Sequence, residues 1–309
     1  MEAVNEERPI HPGISILIFA ATVFLGFTVI GLFAGFFLAL PFYPGDFDAL
    51  QQEIVSGSTS QEIRLPLFIL QACVSGVGLI LVPMLSYRYM VKMDVSKLLR
   101  RNTGLTYTLA VCAVIAFTFP NSIIIEWNAN WDFSGAFWDW CRALETSREE
   151  LTIFLTTFQT PGEFIGGFFM IAVLPAIGEE FTFRGWLQPA IQKWTSNPHV
   201  AIWVTAIAFS AFHFQFFGFV PRLLLGALFG YFMYWSNNLW LPIIAHFVNN
   251  GLMLVVMYLH QLNLVDVDVD STEALPLTFV IPSAILFLLL MVYLKRTIHP
   301  REETSQSIH

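Results

Sequence analysis

Eight stretches of this 309-residue chain are apolar over roughly the thickness of a bilayer core: 14–40, 65–87, 105–125, 162–183, 199–214, 219–236, 239–260 and 276–295. A membrane-spanning helix needs about 20 mostly apolar residues. Hydrocarbon offers no partner for backbone N–H and C=O groups, so such segments must close their hydrogen bonds internally, as helices. The composition agrees, at 56% hydrophobic and 12% charged, where soluble domains carry about 25% charged residues. The expected fold is therefore all-α: a polytopic membrane helix bundle with about eight transmembrane helices. The fifth and sixth segments are short and are divided only by Gln215 and Gly218, which also allows a partly embedded hairpin. The stretch 126–161 sets Trp127, Trp131, Trp138 and Trp140 among acids and reads as interfacial, because tryptophan favours the headgroup level.

Orientation follows from the Lys/Arg content of short loops. The connection 88–104 carries Arg88, Lys92, Lys97, Arg100 and Arg101, and the C-terminal flank carries Lys295, Arg296 and Arg301. The loop 261–275 has no basic residue. Eight spans with both termini cytoplasmic satisfy all three observations and place Lys193 inside as well. An even count, eight or six, is favoured over seven. The N-terminal MEAVNEERPIHPG lacks a basic n-region, so the first apolar run is read as a membrane helix rather than a signal peptide. The net charge of −8 gives no basic surface for nucleic acid. Cys73, Cys112 and Cys141 have no metal or redox spacing; Cys73 and Cys112 read as packing residues.

Against this background the polar residues of the second half stand out: Glu179, Glu180 and Arg184 in one segment, His213 in the next, His246 and Asn250 in a third. A charge at the bilayer centre costs roughly 2.5–3.5 kcal/mol on insertion scales and usually marks a functional site. Each element also has a structural reading. Glu180 and Arg184, at i and i+4, share a helix face and can neutralise each other. His213 can be a hydrogen-bonded packing residue, and His246 and Asn250 can bond across helices. Glu179 is turned by about 100° from Glu180, so it needs a partner from another helix or a wet cavity. Taken together, a carboxylate and an imidazole can polarise a water, and a second imidazole with an amide can donate to a developing oxyanion. No G-x-S-x-G elbow is present, and Ser210 near His213 has no acidic partner on its segment. HExxH is absent. A split Glu–His–His site could hold zinc, but water activated directly by glutamate is the simpler reading, with no cofactor and no metal.

Glu179-Glu180-Phe181-Thr182-Phe183-Arg184 fits EExxxR, Phe209-Ser210-Ala211-Phe212-His213 fits FxxxH, and His246-Phe247-Val248-Asn249-Asn250 fits HxxxN. These three motifs, in this order on successive membrane segments, resemble the CPBP family of CAAX proteases and bacteriocin-processing enzymes, also called Abi, which includes the type II CAAX prenyl endopeptidases. The resemblance covers 179–250 within a core of about 160–260. It implies an intramembrane glutamate-dependent endopeptidase. By motif position, Glu179 is the base that activates water, assisted by His213. His246 and Asn250 form the oxyanion site, and Glu180, Arg184 and Phe209 support it. The expected partner is a membrane-associated peptide or protein, with lipidated ones among the candidates. The expected location is the plasma membrane.

On this reading 1–309 is a single membrane domain. It comprises N-terminal helices and the Trp-rich segment (14–160), a motif core (160–260), and a last helix with a cytoplasmic tail (261–309). The alternative is a non-catalytic membrane protein of the same fold acting in bacteriocin immunity or partner binding. A transporter with a proton relay would show inverted repeats with broken helices, and none is visible. One misfit follows from the rise of 1.5 Å per residue. His213 would lie about 21 Å along the fifth span, His246 about 10 Å along the seventh, and Glu179 about 26 Å from the outer edge of the fourth. Tilt, an earlier helix start or a shortened fifth span must bring them together.

Overall fold

The computed structural model describes residues 11–86, 89, 98–99, 102–266 and 271–298. Among these, the chain forms ten helices and no strand: α1 (Pro12–Phe42), α2 (Phe47–Ser56), α3 (Gln61–Ser86), α4 (Gly104–Ala129), α5 (Ala136–Thr156), α6 (Pro161–Thr195), α7 (Pro198–Phe212), α8 (Phe219–Ser236), α9 (Trp240–Gln261) and α10 (Leu277–Ile298). Six of them, α1, α3, α4, α6, α9 and α10, are long and apolar enough to cross a membrane. The molecule is a polytopic helical membrane bundle. The two remaining apolar segments are α7, with 15 residues, and α8, with 18. They form the hairpin that the short fifth and sixth segments allowed.

The fourth segment is longer than its hydropathy suggests. It was expected to end at 183 with Lys193 in a loop, yet α6 runs on to Thr195, with Lys193 in its last turn. The charges that end the apolar run are buried inside the bundle, so the helix has no reason to stop at them. Wider, i→i+5 turns interrupt the α-helical winding at Gly76–Leu81, Phe169–Val173 and Phe181–Leu187. Each ends two residues before a proline: Pro83, Pro175 and Pro189. Proline lacks an N–H and clashes with the carbonyl four residues back, and a widened turn absorbs that defect without ending the helix. A fourth wide turn, Gly26–Gly31 in α1, is bounded by glycines. There α1 and α3 approach closely: a Cβ on Gly31 would stand 2.8 Å from the Val74 Cα, and one on Gly78 2.8 Å from the Phe27 Cα. Small residues at such crossings let backbones meet, which is how helices pack where lipid supplies no hydrophobic drive.

The Trp-rich stretch resolves into the end of α4 and the helix α5. Phe133 stacks on Trp138, and Phe137 and Trp140 pack against Phe216 of the α7–α8 turn. Asn128, fully buried near the end of α4, donates to the Phe216 carbonyl and accepts from the Val220 N–H. Glu145 of α5 accepts from the Phe217 N–H at 3.2 Å. The turn that carries His213 is thus held by side chains of the first half of the chain. Arg64 of α3 donates to the carbonyls of Leu155 and Thr157, and Gln261 of α9 is hydrogen-bonded to Thr156 and Phe158, so the α5–α6 connection is fixed from two sides.

Most of the basic loop used for orientation lies outside the described residues, including Arg88, Lys92, Lys97, Arg100 and Arg101; so do Arg301 and residues 267–270 of the acidic loop. Among the described residues, Lys295 near the end of α10 sits over Trp235 near the end of α8, 5.9 Å from the ring centroid. The C-terminal ends of α8 and α10 therefore share a side. Cys141 is buried, but Cys112 faces outward rather than packing inside.

Candidate active site

The site is built on α6 and closed by α7, α8 and α9. Glu180 and Arg184, one turn apart on α6, are both fully buried, and Arg184 Nη1 donates to Glu180 Oε1 at 2.7 Å. Arg184 Nη2 donates to the Gly226 carbonyl of α8 at 2.8 Å, and its guanidinium lies 4.4 Å from the ring centroid of Phe209 and 5.5 Å from that of Phe229. Gln188, one turn further on, repeats the move and donates to the Gly230 carbonyl at 3.0 Å. These carbonyls are reachable because Gly226 and Gly230 have no side chains and α7 packs onto them. A Cβ on Gly230 would stand 2.9 Å from the Ile202 Cγ2 and 3.0 Å from the Gln188 Oε1.

Glu180 Oε1 accepts a second hydrogen bond, from His246 Nδ1 of α9 at 2.8 Å. His246 is buried and stacks on Phe229, with centroids 5.1 Å apart. With Nδ1–H given to Glu180, its Nε2 faces Glu179 Oε2 at 4.0 Å. His213, just past the end of α7, is fixed in the same way. Its Nδ1 donates to the Phe209 carbonyl at 2.9 Å, since a carbonyl can only accept, and its Nε2 faces Glu179 Oε2 at 3.8 Å. Thus two imidazoles turn Nε2 toward one oxygen of Glu179, and that oxygen is buried with no hydrogen-bond partner of its own. Glu180 differs in that its Oε1 is tied to Arg184 and His246, though its Oε2 also has no partner. The two adjacent carboxylates have different surroundings because the helix points them in different directions.

Asn250, one turn after His246, is half-buried, and its Oδ1 accepts from Asn249 Nδ2 at 3.1 Å. Its own amide N–H groups remain free to donate. Glu179, His213, His246 and Asn250 line one cavity of about 350 Å³, together with Asn121 of α4 and Arg222 of α8. All the residues singled out from the sequence, Glu180, Arg184 and Phe209 included, meet in this one place. Sequence reasoning missed Gln188, Asn128, Arg222 and the glycine pair. Gln188 continues the i+4 row of Glu180 and Arg184, and GALFG at 226–230 is a G-x-x-x-G, so two of these left a readable trace. Among the described residues no group of three or more His, Cys, Asp or Glu side chains is arranged to hold a metal ion.

Fold and site together define an integral, polytopic helical membrane protein with an ionisable cluster enclosed between its helices. Within that class, residues 161–252 match the family model described as type II CAAX prenyl endopeptidase Rce1-like. This stretch contains every residue of the three motifs. The chain is also similar to "Uncharacterized protein YpbD" of Bacillus subtilis (strain 168), with 30% identity over 82 residues, 25% of this chain and 39% of that protein's length. The chain thus matches well under two thirds of that relative. No solved structure matches this chain.

Proposed function

We propose that the protein is a membrane endopeptidase of the CPBP type, in which Glu179 activates water to cleave a peptide bond of a membrane-associated substrate. The observation that carries this reading is the convergence of His213 Nε2 and His246 Nε2 on Glu179 Oε2, at 3.8 and 4.0 Å. Both separations exceed hydrogen-bond reach and suit an oxygen bridging between the groups.

Glu179 takes a proton from water as the oxygen attacks the scissile carbonyl carbon, with His213 orienting that water. The carbonyl oxygen becomes an oxyanion, which Asn250 stabilises through its amide N–H, and His246 through Nε2–H as the imidazolium, its Nδ1–H going to Glu180 Oε1. Glu179 then passes the proton to the departing nitrogen as the C–N bond breaks, leaving a carboxylate and an amine. Glu180 and Arg184 do not line the cavity, whereas Phe209 does. All three hold His246 and His213 at their angles. No metal is assigned a role in this scheme, in which Asn250 serves the oxyanion. We place the protein in the plasma membrane with both termini cytoplasmic, its helices acting as one unit.

The test is a cleavage assay on membrane-anchored peptides with the purified protein in detergent, comparing wild type with Glu179→Ala and including a chelator. Cleavage by the wild type that resists the chelator and vanishes in the variant is expected. Cleavage abolished by the chelator and restored by zinc would reassign Glu179, His213 and His246 as metal ligands. A well-folded wild type that cuts no membrane-anchored peptide would favour a binding protein of the same fold.

A further inference from the structure

One cation in the cavity has no part in the scheme above. Arg222 lies in the first turn of α8 and lines the cavity with Glu179, His213, His246 and Asn250. Its Nη2 donates to Gln215 Oε1 at 2.7 Å, but Nη1 is buried with no hydrogen-bond partner. Glu145 and Glu179 are near enough for their charges to reach the guanidinium, yet neither pairs with Nη1. Arginine cannot shed its charge in a protein, and a buried donor left unmade is costly, more so when charged. Arg184, by comparison, has both terminal nitrogens paired, with Glu180 and the Gly226 carbonyl, and only Nε without a partner. The backbone also leaves room around Arg222: a Cβ on Gly218 would stand 3.3 Å from Nη2 and 3.7 Å from Nη1. Gln215 fixes one arm of the fork, and the other, on a residue that lines the cavity, has no partner.

We propose that Arg222 forms a carboxylate-binding subsite beside Glu179, which anchors an anionic group of the substrate peptide. This rests on the reading of the cavity as a peptide-cleaving site. A peptide offers two such groups, its C-terminal carboxylate and an acidic side chain, and a guanidinium N–H binds either by a charge-assisted hydrogen bond. The residue would then set which peptides are cut and at what distance from the anion.

The test measures binding of three capped tripeptides to the purified full chain in detergent: N-acetyl-trileucine, its C-terminal amide, and N-acetyl-Leu-Glu-Leu-amide. At least one acid probe should bind about tenfold or more tighter than trileucine amide, the advantage expected of a charged hydrogen bond. The tighter acid identifies the source of the anion. In Arg222→Gln that advantage should shrink to about twofold or less, and Arg222→Lys, which keeps the charge without the fork, should retain part of it. Equal binding of acids and amide by the wild type, no binding of any probe, or an unchanged preference in Arg222→Gln would each overturn the proposal. If Arg222→Gln does not fold, the acid–amide comparison in wild type and Arg222→Lys decides. A wild-type protein that prefers acids but cuts no peptide contradicts the protease reading and leaves the subsite standing.

Discussion

At the scale of single residues, the two adjacent carboxylates differ in what surrounds them. Glu180 could be assigned to Arg184 from spacing alone, because i and i+4 meet on any helix, and the 2.7 Å bond is that pair. Glu179 could be read only as lacking a local partner. That His213 and His246 both approach it depends on how α7 and α9 pack, which no local pattern encodes. Arg222 was invisible for the same reason: an arginine in the first turn of an apolar helix looks like an interfacial anchor until the cavity beside it is seen. Arg184→Ala should leave Glu180 an unpaired buried charge, costing about 3–5 kcal/mol. Lower yield and earlier thermal unfolding in detergent would register it, with Arg184→Lys recovering only part, since one ammonium does not reproduce the fork to Glu180 and Gly226. Asn250→Ala removes the neutral donor proposed to serve the oxyanion, so kcat should fall about 100–1000-fold with little change in KM. A raised KM with kcat intact would make Asn250 a substrate-binding residue instead.

At the scale of elements, helix existence was legible and helix depth was not. The expected segments 219–236 and 239–260 lie within a residue or two of α8 and α9. The height mismatch arose because α6 was cut at 183. Measured from Thr195, Glu179 is about 24 Å up α6, and His213 is about 22 Å above Pro198 on α7, so the two meet. His246 is only about 9 Å from the start of α9, but that start is itself sunk in the bundle. Asn238 and Leu239 are fully buried, and the Leu239 N–H donates to the Leu98 carbonyl. A buried turn cannot be told from a surface turn by hydropathy alone. The α7–α8 pair depends on Gly226 and Gly230. Gly230→Ala would force a Cβ against Ile202 and the Gln188 Oε1. Overpacking of this kind costs about 1–3 kcal/mol. A lower unfolding temperature, with activity falling as the Gly230 carbonyl moves off Gln188, is the expected outcome; an unchanged variant would show that α7 and α8 are not in close contact there.

For the whole molecule, apolar length establishes a membrane bundle, and the proposed direction comes from charge bias. Much of that bias lies in the 88–104 connection, so orientation rests on sequence and on the shared side of the α8 and α10 ends. A fluorescent protein fused after residue 298 should fold in the cytoplasm, whereas a phosphatase inserted at 271–275 should be active outside. The opposite pattern would invert the topology while leaving the site's geometry intact. The first half of the chain carries none of the three motifs, yet Asn128 and Glu145 hold the turn that presents His213, so scaffold and site are one mechanical unit. The central claim is that Glu179 is the base. Its most direct test is the single-turnover cleavage rate of purified Glu179→Gln, whose side chain keeps the shape but cannot accept the proton, on a peptide the wild type cuts. With unfolding temperature and peptide binding unchanged, the rate should fall about 100–10,000-fold, the usual contribution of a general base. A Glu179→Gln protein that cleaves at the wild-type rate would contradict the account.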